Sequence, residues 1–157
     1  MQPRLRHHTI APKGIEAVLG LETYVRNSGL ERSLLELVKI RSSQINGCAY
    51  CLEMHTRETR ELGETEPRLH LLAAWRESSL YTRRERAALA WTEAVTLVAD
   101  THVPDDVFEE VRGHFTDEEL VNLTLAVSTI NTWNRLAIAF RAAHPAPRTA
   151  THDQRVA

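Results

Sequence analysis

The twenty residues ELVKIRSSQINGCAYCLEMH, Glu36 to His55, decide how this chain folds. Leu37, Val38, Ile40 and Ile45, with Leu34 and Leu35 just before them, supply a broad apolar face at helical spacing. Asn46-Gly47 then stops the helix, glycine being the residue that most readily takes the left-handed conformation of a helix end. Cys48 opens a new helix at once. So short a connection folds two helices back as antiparallel neighbours. The expectation is a helical hairpin of about Glu31–Ile45 and Cys48–Leu62, with Gly63 closing the second arm.

The same periodicity runs outward in both directions. Ile15, Val18, Leu19, Leu21 and Val25 predict a helix over Gly14–Arg26, ended by Asn27-Ser28-Gly29. Downstream, Pro67 opens a helix to about Glu77. Thr82 and Glu85 have capping-box spacing before a helix reaching about Asp100, and Thr116 and Glu119 repeat it before one reaching about Ala143. Between them Pro104, followed by Asp105 and Asp106, begins a helix to about His114. Alternating strand patterns are scarce. The predicted fold is all-α, about six to seven helices around a central antiparallel hairpin. It divides into an N-terminal arm (1–13), a helical domain (14–144) and a flexible C-terminal tail (145–157).

Composition narrows the function. The chain has 157 residues, 43% hydrophobic and 25% charged, with a net charge of −2. That charge argues against a nucleic-acid binder, which needs a basic field. No apolar run has the length of a membrane span, and Met1–Pro12 lacks the apolar core of a signal peptide, so a cytoplasmic location is expected. The two cysteines stand three positions apart and would close almost no loop, so redox or metal chemistry is a better reading than a structural staple.

Cys48, Cys51 and His55 lie at i, i+3 and i+7, on one helical face. The partial positive charge of a helix start favours a thiolate, and on this ground Cys48 is the more acidic thiol. Counted outward from Gly47, Glu36 lies level with about Glu58, within a turn of His55. A Glu36–His55–Cys51 line, direct or through one water, would let the carboxylate orient the imidazole and the imidazole take a thiol proton. The same four side chains could supply four zinc ligands, although three of them would come from one helix, unlike the usual two-knuckle site.

At these residues the chain resembles the AhpD-like alkylhydroperoxidase family, within the carboxymuconolactone decarboxylase superfamily. The resemblance rests on Glu36, Cys48, Cys51 and His55 in the context Ser42–Gly63, with support from Leu80–Val98 and Ile130–Phe140, and covers about residues 15 to 143. It implies an all-helical protein assembling as a homo-oligomer, a trimer or hexamer. It implies a proton relay from Cys51 through His55 to Glu36. Cys51 would attack a hydroperoxide or exchange with a disulfide, Cys48 would form the disulfide, and an external thiol reductant would restore both. No cofactor and no metal are called for. Hydroperoxidases of this family carry a second histidine just before the second cysteine, where this chain has Tyr50; this bears on peroxidase strength, not on disulfide chemistry. Decarboxylase members lack the cysteine pair. The alternatives are a non-catalytic or zinc-binding helical oligomer and a decarboxylase-type enzyme using His55 and Glu36 alone.

Two further groups stand out. Trp75, Trp91 and Trp133 are expected as core or interface anchors. Asn131, Asn134 and Arg135 sit in an otherwise apolar helix and so need partners. The apolar surface of the helices predicted over about Glu31–Ile45, from Thr82 to about Asp100 and from Thr116 to about Ala143 exceeds what so small a chain buries alone, which also points to an oligomer.

Overall fold

The computed structural model describes residues 2–143. The expected tail, 145–157, lies outside the described residues, as do positions 1 and 144. The elements in order are α1 (His7–Ile10), α2 (Pro12–Arg26), α3 (Arg32–Asn46), α4 (Ala49–Glu61), α5 (Glu66–Leu71) leading into a 3₁₀ segment (Leu72–Glu77), α6 (Arg83–Thr96), α7 (Val98–Thr101), α8 (Asp105–Arg112) and α9 (Asp117–Phe140). The described residues contain no strand and no helix long and apolar enough to cross a membrane.

Helix α3 is the hub, packed against α4, α6 and α9. One side of it carries Leu34, Leu35 and Val38 into a cluster with Ala88, Trp91, Val111, Phe115, Leu123 and Val127. Another carries Leu37 and Ile40 against Leu72, Trp75 and Leu89. Each such fully buried aliphatic side chain stabilises the fold by roughly 1.5–3 kcal/mol. A smaller third cluster joins Cys48 and Cys51 to Ile130, with Tyr50, Trp133 and Ala137 packed on it. Both capping boxes form: Thr82 caps Glu85 and Thr116 caps Glu119, with each glutamate reaching back to the cap amide.

The chain departs from the expected helices in three places. Before residue 14 there is a helical turn, α1, and Arg4 anchors that stretch to α9 through its amide on the Phe140 carbonyl (2.9 Å). The helix expected over Pro67–Glu77 tightens to 3₁₀ after Leu71. Leu72 and Trp75, three apart, both point into the core, and 3₁₀ geometry eclipses such a pair. The helix expected to reach Asp100 breaks at Leu97 and resumes for one turn as α7. There Thr101 Oγ1 donates to the Ala94 carbonyl (2.8 Å) and accepts from the Val103 amide (3.2 Å). His102 and Val103 are left-handed, at φ 51° and 52°, a costly conformation for β-branched valine.

Candidate active site

The site starts from Gly47. At φ 68° it ends α3 in a Schellman turn: the Gly47 amide donates to Gln44 O (3.3 Å) and the Cys48 amide to Ser43 O (3.0 Å). The residue that completes this turn, Cys48, is also the N-cap of α4, and its carbonyl receives the helix's first bond, from Leu52 (3.0 Å). Cys51 therefore lies in the first turn, and Cys48 one position ahead of it. The two sulfurs are 2.9 Å apart and free, with residue exposures of 1% and 2%.

The pair is electrically asymmetric. Cys48 is lowered to about 6, first by the hydrogen bond from the Cys51 thiol; the Cys51 amide, Asn134 and His55 help, and together they outweigh burial. Cys51 is pushed up, by that same hydrogen bond, by burial and by the charge on Cys48. Near neutrality the pair holds one negative charge and one proton, and these belong to the pair rather than to either sulfur alone.

One turn further along α4, His55 Nδ1 lies 2.8 Å from Glu36 Oε2 on α3, so the expected carboxylate–imidazole contact is direct. Burial acts to raise the Glu36 carboxyl, but the His55 hydrogen bond and the charges of Lys39 and His55 more than reverse this and hold it below its usual range. An ionised carboxylate only accepts hydrogen bonds, so Nδ1 carries a proton, and in the neutral ring Nε2 is left as the acceptor. Glu58 Oε2 approaches the same Nδ1 at 3.9 Å.

Two groups complete the surroundings, the first of them unnoticed in the sequence. Lys39, 3% exposed, donates to Glu36 Oε1 (3.1 Å) and to Glu22 Oε1 on α2 (2.7 Å). The available signal was a lysine three residues from Glu36 inside an apolar helix face. Below the sulfurs, Asn46 Nδ2 donates to both Asn131 Oδ1 and Asn134 Oδ1 (2.9 Å each), and Asn134 Nδ2 donates to Ser43 Oγ (3.1 Å). Asn131 Nδ2 reaches Thr96 Oγ1 (3.1 Å), and Arg135 donates to Asn131 Oδ1 (2.9 Å). The partners expected for the three polar residues of α9 are thus found within the chain.

A cavity of about 680 Å³ opens beside α4, and Cys51 and His55 line it together with Tyr50, Met54 and Trp133; Cys48 and Glu36 stand behind that lining. Trp133 thus faces the cavity, whereas Trp75 and Trp91 are buried in the core clusters. The four residues singled out by spacing therefore lie on one hairpin as two touching pairs. They do not converge as a zinc set: among the described residues the close-set ligand atoms are those of Glu36, His55 and Glu58, without either sulfur, and the Lys39 ammonium already occupies Glu36.

The described residues form an all-α fold whose central hairpin carries a buried dithiol beside a carboxylate-held imidazole. Residues 11–94 match the model of the carboxymuconolactone decarboxylase family, and the chain belongs to that family. Members of that superfamily are typically enzymes. The uncharacterized protein YdfG of Bacillus subtilis (strain 168) is 43% identical over 139 residues, covering 88% of this chain and 95% of YdfG. Among solved structures, ATU0492 from Agrobacterium tumefaciens, a protein of unknown function provisionally named an antioxidant defence protein AhpD, is 49% identical with a TM-score of 0.89, over 92% of this chain and 99% of that one. The alkylhydroperoxidase AhpD core of a peroxidase-related protein from Ralstonia eutropha JMP134 is 21% identical with a TM-score of 0.77, over 88% and 74% of the two chains, a likeness of fold.

Proposed function

We propose that the chain is a thiol-dependent oxidoreductase that reduces organic hydroperoxides, and exchanges disulfides, through Cys51 and Cys48. The observation that carries this reading is the division of labour at the cavity. Cys51 and His55 line it, while the partners that tune them, Cys48 and Glu36, stand behind.

His55 Nε2 takes the first proton from the dithiol, and Glu36 stabilises the imidazolium that results. The thiolate on Cys51 attacks the outer oxygen of the hydroperoxide. The O–O bond breaks, Cys51 becomes a sulfenic acid, and the departing alkoxide takes the proton back from His55 to leave as an alcohol. The Cys48 thiol condenses with the sulfenic acid, releasing water and forming the Cys48–Cys51 disulfide. An external thiol then attacks Cys51, the sulfur at the cavity, and expels Cys48. A second external thiol attacks the first in that mixed disulfide, leaves with it as the external disulfide and regenerates the dithiol. The lowered pKa of Cys48 suits its role as the sulfur expelled, since the more acidic thiol leaves faster. Dependence on an external thiol fits a reducing compartment such as the cytoplasm.

The test is hydroperoxide consumption with a dithiol reductant. Wild type turns over; Cys51→Ser does not. Turnover in Cys51→Ser equal to wild type rejects the assignment. The same reading includes a homo-oligomer, a trimer or hexamer. Its support is exposed apolar residues on α1, α2 and α9, namely Ile10, Leu19, Tyr24, Val121 and Ile138. A monomer in sedimentation at micromolar concentration contradicts that part.

A further inference from the structure

We propose that Lys39, backed by Glu22, is a positioning residue that keeps Glu36 a carboxylate and so fixes which nitrogen of His55 carries the proton in the neutral ring. The inference rests on the reading above and adds residues to its site.

A lysine ammonium that is almost fully buried is unstable without partners. Here two carboxylates hold it, Glu22 at 2.7 Å and Glu36 at 3.1 Å, and the second of these also binds His55 Nδ1. The charges alternate along one line: Glu22, Lys39, Glu36, then His55. Glu22 stands at the outer end and lines the cavity. The groups facing Glu36 are Lys39 of its own helix and His55 of α4; Glu22 of α2 and Glu58 of α4 lie one contact further out. Helices α6 and α9 bring no charge to it among the described residues: Glu93 is taken by Arg41, Arg76 and Trp75, and Arg135 is turned to Asn131.

The chemistry depends on this charge order. An anionic Glu36 requires the proton on Nδ1 and leaves Nε2 free to accept one from the thiols. A protonated Glu36 would instead donate to Nδ1, force the imidazole proton onto Nε2, and remove the acceptor. Burial pushes Glu36 toward that second state, and the ammonium opposes it.

The experiment is carboxyl-carbon NMR of Glu36, assigned with Glu36→Gln, across pH, beside hydroperoxide turnover, on wild type, Lys39→Met, Lys39→Arg and Glu22→Gln. In wild type Glu36 stays a carboxylate to below the usual carboxyl range. In Lys39→Met Glu36 gains its proton at a pH higher by about 1 unit or more, the usual effect of a charge at this distance, and turnover falls about 10-fold or more with KM little changed. Lys39→Arg restores the wild-type midpoint. Glu22→Gln moves the midpoint the other way, to lower pH, because the ammonium then pulls on Glu36 alone. Mere structural damage has no reason to produce opposite signs. An unmoved Glu36 midpoint in Lys39→Met, or, if that variant does not fold, in Glu22→Gln, overturns the proposal. Wild type that holds Glu36 ionised as predicted but consumes no hydroperoxide instead sinks the peroxidase reading alone.

Discussion

Helix α3 carries two buried polar clusters at different heights along one stripe, and they solve different problems. At its C-terminal end Ser43 and Asn46 join Asn131 and Asn134 in a network of neutral amides and hydroxyls. Nearer its middle Glu36 and Lys39 join Glu22 and His55 in a chain of charges. Neutral groups hold atoms in place and respond weakly to pH; the amides brace the turn that presents the two sulfurs. Charged groups hold protons in place; they set the state of the imidazole. One helix can therefore fix position and protonation separately, because the two networks share no side chain.

The comparison is broken most severely at the sulfur both clusters serve. Cys51→Ser brings hydroperoxide turnover down to the rate without protein, whereas Cys48→Ser stops after a single turnover, read by peroxide consumed per chain. Next comes the charged cluster. Glu36→Gln lowers turnover about 10²-fold or more, the lower range for a positioned acid–base group. It also alters stability against pH. A carboxyl whose pKa is lowered by folding stabilises the fold fully above the unfolded carboxyl range, and this is lost as pH falls through the folded value. Glu36→Gln therefore flattens the acid side of the stability curve, measurable by thermal unfolding across pH.

The neutral cluster answers differently. Asn134→Ala leaves Ser43 and Asn46 each short of a buried partner and costs roughly 1–3 kcal/mol in denaturant unfolding. It also moves the first ionisation of the dithiol upward from about 6, since Asn134 favours the thiolate form. Wild-type turnover falls as pH drops through about 6, where the pair regains its second proton; in Asn134→Ala that fall begins at higher pH. The smallest effect lies far from both clusters. Thr116→Ala removes the α9 capping box, costs ~1 kcal/mol, and leaves turnover unchanged.

What could be read from the sequence follows the range of the interactions. The hairpin was legible because Gly47 and the apolar spacing around it are local facts, and both capping boxes were legible for the same reason. Glu36, Cys48, Cys51 and His55 could be grouped because a tight turn converts sequence distance into height along two paired helices. Lys39 escaped notice because its meaning depends on Glu22, which arrives only when α2 docks. Asn134 was marked as needing a partner, yet Ser43 and Asn46 could not be named without the packing of α9 on α3. The choice of which sulfur faces the cavity was equally hidden. Helix position favours Cys48 as the acidic thiol, and in the structure Cys48 is indeed lowered, yet Cys51 lines the cavity. The 3₁₀ tightening after Leu71 reflects core packing of Leu72 and Trp75, which no local pattern announces.

The most direct measurement is to treat Cys48→Ser and Cys51→Ser with one equivalent of an organic hydroperoxide, trap sulfenic acid with dimedone, and locate the adduct by peptide mass spectrometry. The account predicts an adduct on Cys51 in Cys48→Ser and none on Cys48 in Cys51→Ser. An adduct on Cys48 with Cys51 unmodified would contradict it.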